Sequence, residues 1–332
     1  MKNLLVVIVF SLLHLGVLGQ KKAGDFGYTH IQYLYKSDTV DILVKSKKGE
    51  EQIKKPLFFF CQGSLPQPLI KYDDKGAYGL FPFNPEGLIE KYHLVIVGKP
   101  YIPLIYDVSL LGQNKEYLDE RGKFPKKYSD RNLLSYYVNR NIEVINFLQK
   151  QNWVSVEELV ISGHSEGSTI AAKMASISPS ITQLIYSGGN PMGRIVTMIQ
   201  QARSTESGSA KYGEEEIRYW EYVVANKESM DDTQGDTNRA SYEFSYPPYE
   251  YLVQLDIPVL VCYGTKDWCA PYVDFMRVDF IRKGKKNVQF NAYIGTEHNF
   301  FPLKENGRPD YDVFNWDKVA NDWKIWLNEC KK

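Results

Sequence analysis

The 332-residue chain carries no charge of either sign in excess: Lys+Arg and Asp+Glu are 40 each. Nothing in that balance points to nucleic acid, and no long run of like charge suggests an interaction tail. Cysteine is scarce. The four (Cys61, Cys262, Cys269, Cys330) allow three pairings and are too few for a disulfide scaffold in a chain of this length, so buried thiols are the expectation. There is no internal repeat and no low-complexity tract. No Cys/His cluster has zinc spacing and no glycine-rich loop has a phosphate-binding context, so neither metal nor cofactor is expected. Histidine is rarer still than most polar types, at five, which keeps the search for a catalytic base short.

Long hydrophobic runs are also missing, with one exception at the N-terminus. Lys2 precedes an apolar run from Leu4 to Leu18, and Val17 and Gly19 precede a cleavage point ahead of Gln20. These are the three parts of a secretory signal peptide, expected over residues 1–19. A membrane anchor is the rival reading, but the run reaches only about 22 Å against a ~30 Å hydrocarbon core. The expectation is an exported protein, periplasmic or secreted, with residues 20–332 as the mature chain and no stable membrane anchor.

Beyond this segment, apolar strands and helices alternate. "THIQYLYKSDTVDILVKSKKG" (29–49) reads as two strands around a polar turn. "PLFFFCQGS" (56–64) and "YHLVIVGKP" (92–100) read as strands covered on both faces, with a short helix near Pro85 to Lys91 between them. A polar, tyrosine-rich connection (101–130) leads to a helix whose Leu133, Val138, Ile142, Ile145 and Leu148 share one face. Strands come next at "EELVISGHS", "ITQLIYSGG", "IPVLVCYGTKD" and "VQFNAYIG", and a closing amphipathic helix at "VFNWDKVANDWKIWLNEC". The pattern predicts an α/β protein with a mostly parallel sheet. Residues 192–250 break the rhythm with helical patches and tyrosine-rich stretches. They are too aromatic for a linker and read as an inserted cap.

Gly163-His164-Ser165-Glu166-Gly167 fits G-x-S-x-G between a strand and a helix. A serine there sits on a strained turn that exposes its oxygen, and flanking backbone passes too close for a Cβ. The helix that begins there turns its N-terminus toward developing negative charge. A base and an acid should come after the serine, each just past the C-terminal end of a strand. His14 leaves with the signal segment. His30 and His93 precede Ser165 at strand starts, and the turn directs His164 away from Ser165. His298, directly after the last apolar strand, remains as the base. Among the acids, Asp256 precedes its strand, Asp274 and Asp279 fall inside a helix, and Asp231, Asp232 and Asp236 read as solvated in the insertion. Asp267, in a short turn after strand 257–263, is the expected orienting acid. The backbone N–H of Glu166 and that of Ser64, in the loop "CQGSLPQP", are the expected oxyanion donors.

The "GHSEG" elbow, the "YGTKD" turn and the late "EHNF" histidine are similar to those of the α/β-hydrolase superfamily over about residues 25–330, and resemble exported esterases and prolyl-oligopeptidase or serine-aminopeptidase relatives. The resemblance implies an eight-stranded, mostly parallel sheet with helices on both faces and a cap after the sixth strand, where 192–250 falls. It departs at Gln62-Gly63-Ser64, where many relatives have His-Gly. The implied activity is hydrolysis of a carboxylic ester by a Ser-His-Asp triad through an acyl-enzyme. A serine peptidase acting on short peptides is the alternative, and a non-catalytic ligand-binding protein of this fold is a third reading. Glu166 is read as meeting a cationic group such as a peptide amino terminus, or as solvated or paired. Tyr242, Tyr246, Tyr249, Tyr251 and Trp220 are read as pocket lining or as packing between insertion and sheet.

Overall fold

The computed structural model describes residues 21–233 and 235–330; the expected signal segment lies outside them. Among the described residues, no helix is long and apolar enough to cross a membrane. The main sheet is built from β1 (Thr29–Tyr35), β2 (Asp38–Lys45), β3 (Lys55–Cys61), β4 (His93–Val97), β5 (Val154–His164), β6 (Gln183–Ser187), β7 (Val259–Gly264) and β8 (Val288–Tyr293). Its order is β1-β2-β4-β3-β5-β6-β7-β8. Only β2 runs against its neighbours; every other adjacent pair is parallel.

Position in the sheet accounts for the patterns in the sequence. The edge strand β1 is exposed on alternate residues, whereas every residue of the central β4 is buried. In β3 the period of two assigns side chains to opposite faces. Leu57, Phe59 and Cys61 join the core on one face, Phe58 and Phe60 the core on the other. Truncating a ring such as Phe59 to alanine costs about 3–5 kcal/mol in cores of this kind.

Helices cover both faces. They are α1 (Leu134–Leu148), α2 (Glu166–Ile177), α3 (Arg194–Thr205), α4 (Tyr212–Ala225), α5 (Asn238–Phe244), α6 (Ala270–Arg282) and α7 (Trp316–Glu329). The first core takes buried residues from α1, α2 and α6, and the second takes Trp316, Val319, Trp323 and Trp326 of α7. In α1, Ile142 is only half-buried. The buried face includes Tyr137, Arg140 and Asn141 instead, with the Arg140 guanidinium donating to Gly98 O at 2.9 Å and to Asn141 Oδ1. All four cysteines are free thiols, three of them buried.

Two regions depart from a simple alternation. A three-stranded sheet of Ile70–Asp73, Gly76–Tyr78 and Ile105–Asp107 forms from the loop after β3 and the connection after β4, which read as irregular in the sequence. Between the sixth and seventh strands come α3, α4, a two-residue strand pair, α5 and a short helix at Tyr249–Leu252, and Phe244 and Leu252 of this segment join the first core.

Candidate functional site

Ser165 stands between β5 and α2 with φ 58° and ψ −128°, a conformation that costs a non-glycine residue of order 1–3 kcal/mol. The surroundings hold it there. Its N–H donates to Ser187 O at the end of β6 (2.9 Å), and its carbonyl accepts from Ser168 N (3.0 Å) and Ser168 Oγ (2.6 Å). A Cβ at Gly163 would lie 2.0 Å from Gly167 O, and one at Gly167 would lie 2.1 Å from Cys61 O. Those backbones leave no room for any side chain, so both elbow glycines are dictated by packing. A Cβ at Gly63 would meet the Ser165 Cβ at 3.9 Å, which places the loop after β3 beside the serine.

Asp267 and His298 reach the same place from two other strands. Asp267 lies in the turn after β7, buried, and its carboxylate accepts from Cys269 N (3.2 Å) and meets His298 Nδ1 at 2.8 Å. The two loops are tied by the Lys266 N–H donating to Thr296 O (2.9 Å), and Gly264 lets them approach: its Cβ would sit 2.4 Å from the carbonyls of Thr296 and Glu297. Phe300, at φ 64° and fully buried, anchors the loop from the other side. Burial opposes the His298 cation, but the hydrogen bond and charge of Asp267 outweigh it, and the imidazole pKa is raised above its ordinary value. Burial likewise opposes the Asp267 anion. The His298 contact and the Cys269 N–H overcome it and hold the carboxyl below the usual range.

His164, the neighbour of Ser165 in the elbow, is buried and lines one cavity together with Ser165 and His298. Its ring lies between Trp316 and His298, at centroid distances of 4.7 and 4.9 Å, and Nδ1 meets Ser187 Oγ at 3.1 Å. Burial, reinforced by the charge of His298, pushes its pKa down to about 3. It is therefore a neutral ring against the face of His298, a contact that sequence position alone does not reveal.

Two cavities flank Ser165, and His298 and Ser64 line both. The first, of about 440 Å³, brings together Ser64, Ser165, Glu166, Asp267 and His298, and its outer wall comes from the segment between β6 and β7. Ser64 is fixed there by Tyr128, whose hydroxyl donates to its carbonyl at 3.1 Å. The Glu166 side chain is 5% exposed and is committed internally: Arg194 pairs with one oxygen, and Lys99 Nζ lies 3.6 Å from the other. Arg194 also pairs with Asp236, which in turn accepts from Asn132 Nδ2 at 2.7 Å. The sequence reading of Asp236 as solvated is thus corrected. Its partner is 42 residues away in the chain, and only folding brings the two together.

Of the two readings of the aromatic residues in 192–250, lining and packing, the ring contacts favour packing. Trp220 stacks on Tyr242, Tyr246 on Tyr251, and Tyr249 packs on Phe280, so these rings pack the insertion itself or seat it on the body. The cavity's apolar and aromatic lining comes from Met198, Tyr219, Phe244, Trp268 and Cys269.

No family model and no curated protein matches the sequence. Solved structures do match the fold. Est1E from Butyrivibrio proteoclasticus aligns over 92% of this chain and 98% of its own, at 16% identity and TM-score 0.50. A putative dienelactone hydrolase from Klebsiella pneumoniae aligns over 92% and 98%, at 15% identity and TM-score 0.52. The acylaminoacyl peptidase of Pyrococcus horikoshii aligns over 91% of this chain and 40% of its own, at 14% identity and TM-score 0.55. The chain has the α/β-hydrolase fold.

Proposed function

We propose that this chain is a serine hydrolase that cleaves a carboxylic ester through an acyl-enzyme. The observation that carries the reading is the 2.8 Å contact of His298 Nδ1 with the buried Asp267 carboxylate, at the mouth of a cavity that Ser165 also lines. Ser165 Oγ attacks the ester carbonyl while His298 takes its proton. Asp267 fixes the tautomer that leaves Nε2 as the acceptor and stabilises the imidazolium. The backbone N–H groups of Ser64 and Glu166 receive the tetrahedral oxyanion, and the N-terminus of α2 adds its dipole. His298 then protonates the departing alcohol. Water, deprotonated by the same imidazole, releases the acid and restores Ser165.

An ester is favoured over a peptide because the Glu166 carboxylate, 5% exposed and ion-paired with Arg194 and Lys99, is not open to a peptide amino terminus. The insertion 192–250 acts as the cap, since Arg194, Met198 and Phe244 close one side of the cavity. The protein works outside the cytoplasm, after removal of residues 1–19, on a small ester and without a membrane anchor. Turnover of p-nitrophenyl esters beside aminoacyl and prolyl arylamides tests the choice of substrate. Esters cleaved and arylamides untouched is the expected result. Preferential cleavage of the arylamides would make it a peptidase.

A further inference from the structure

The charges around Ser165 are distributed unevenly. In the first cavity every charge is answered: Arg194 by Glu166 and Asp236, and His298 by Asp267. The second cavity, of about 470 Å³, is largely apolar on the side of Phe60, Leu65, Leu69, Leu80, Pro82 and Trp316, and its neutral polar side chains include Gln62, Gln67 and Asn299. Its lining includes no carboxylate and a single lysine, Lys71.

Lys71 sits in the small strand Ile70–Asp73, half-buried. Its ammonium donates to Gln67 Oε1 at 3.2 Å and to Pro68 O at 3.3 Å, both neutral acceptors at long range on the same wall. Among the described residues, no ion pair to Lys71 is formed. Burial alone pushes its pKa down to about 8, so the cation is held at a cost that no protein anion offsets. A cation kept in an apolar recess beside the reacting serine calls for an anion from outside.

We propose that Lys71 receives a carboxylate of the substrate, so that the ester cleaved carries one negative charge on one side of its scissile bond and a neutral group on the other. One ammonium matches one carboxylate. A phosphate monoester, at about −1.5 to −2 near neutrality, would leave charge unanswered in an apolar cavity. The neutral portion then occupies the charge-balanced first cavity. This inference rests on Ser165 acting as the nucleophile.

Two matched substrate pairs test it, because the carboxylate can lie on either side of the ester. One pair is p-nitrophenyl glutarate against p-nitrophenyl valerate, the other 4-acetoxybenzoate against 4-methylphenyl acetate. The protein should prefer the anionic member of one pair. In Lys71→Gln the ratio of kcat/KM, anionic over neutral, should fall by roughly tenfold or more, and Lys71→Arg should retain most of it. Equal ratios in the protein and in Lys71→Gln for both pairs would overturn the proposal and leave the hydrolase reading intact. If none of the four esters is cleaved and a fluorophosphonate does not label Ser165, the hydrolase reading is what fails. Calorimetric titration with glutarate then decides the role of Lys71: binding lost in Lys71→Gln supports it, and binding unchanged or absent in both chains overturns it.

Discussion

The rings of His164 and His298 lie 4.9 Å apart, and their proton affinities are moved in opposite directions, one down to about 3 and the other upward. The difference comes from what else each ring touches. His164 has Trp316 and a serine hydroxyl, whereas His298 has the Asp267 carboxylate.

That contrast sets a pH dependence. A base must be neutral, so kcat/KM for a neutral ester should rise with pH, with a midpoint above the ordinary histidine value of 6.5. In Asp267→Asn the carboxylate that raises the pKa is gone, and burial is opposed only by the charge of Glu297, so the residual activity should have a lower midpoint than that of the unaltered protein. The sign for stability is the reverse of that for activity. A raised folded-state pKa adds stability that is fully present below the unfolded value near 6.5 and is lost as pH rises through the folded value. Histidine ring NMR checks the assignment directly: one resonance should titrate above 6.5, and that of His164 should have its midpoint at about 3.

Gly264 should matter to activity although it touches no substrate. A Cβ there would lie 2.4 Å from the carbonyls of Thr296 and Glu297, and backbone has little room to yield. Gly264→Ala should therefore push the His298 loop off the Asp267 turn, at a cost of about 1–3 kcal/mol and a loss in kcat larger than the change in KM. Gly24, with nothing within 4 Å of its Cβ, is the control, and Gly24→Ala should change neither the melting temperature nor the rate.

The outline of this arrangement was legible in the chain. "PLFFFC" and "HLVIV" read as buried strands because helices cover the sheet on both faces, and Asp267 and His298 stood out because each comes after a strand that ends on the Ser165 side. Pairings made across long loops were not legible. Asp236 looks solvated beside its polar neighbours, and nothing local announces Arg194, which arrives from the start of α3. The strand holding Lys71 was missed for a related reason. Its four residues pair with a segment on the far side of β4, and the sequence around it is polar. For the tyrosines of residues 192–250 the sequence left lining and packing both open, since aromatic side chains fill cores as readily as pockets, and the ring contacts favour packing.

The paired charges behind the elbow should be a stability element. Lys99 and Glu166 side chains are 2% and 5% exposed, with Nζ and Oε1 3.6 Å apart. Glu166→Ala removes the carboxylate and leaves a buried ammonium over the Tyr137 ring, which should cost about 3–5 kcal/mol in urea unfolding. Adding Lys99→Met should recover most of that loss, because the uncompensated charge goes with it. A double variant no more stable than the single one would assign the cost to packing instead.

The widest question is whether Ser165 is the reacting group. p-Nitrophenyl acetate and butyrate hydrolysis, measured for residues 20–332 beside Ser165→Ala, tests that most directly. The account expects activity in the first and a loss of about 10⁴-fold or more in the variant. Undiminished hydrolysis by Ser165→Ala would contradict it.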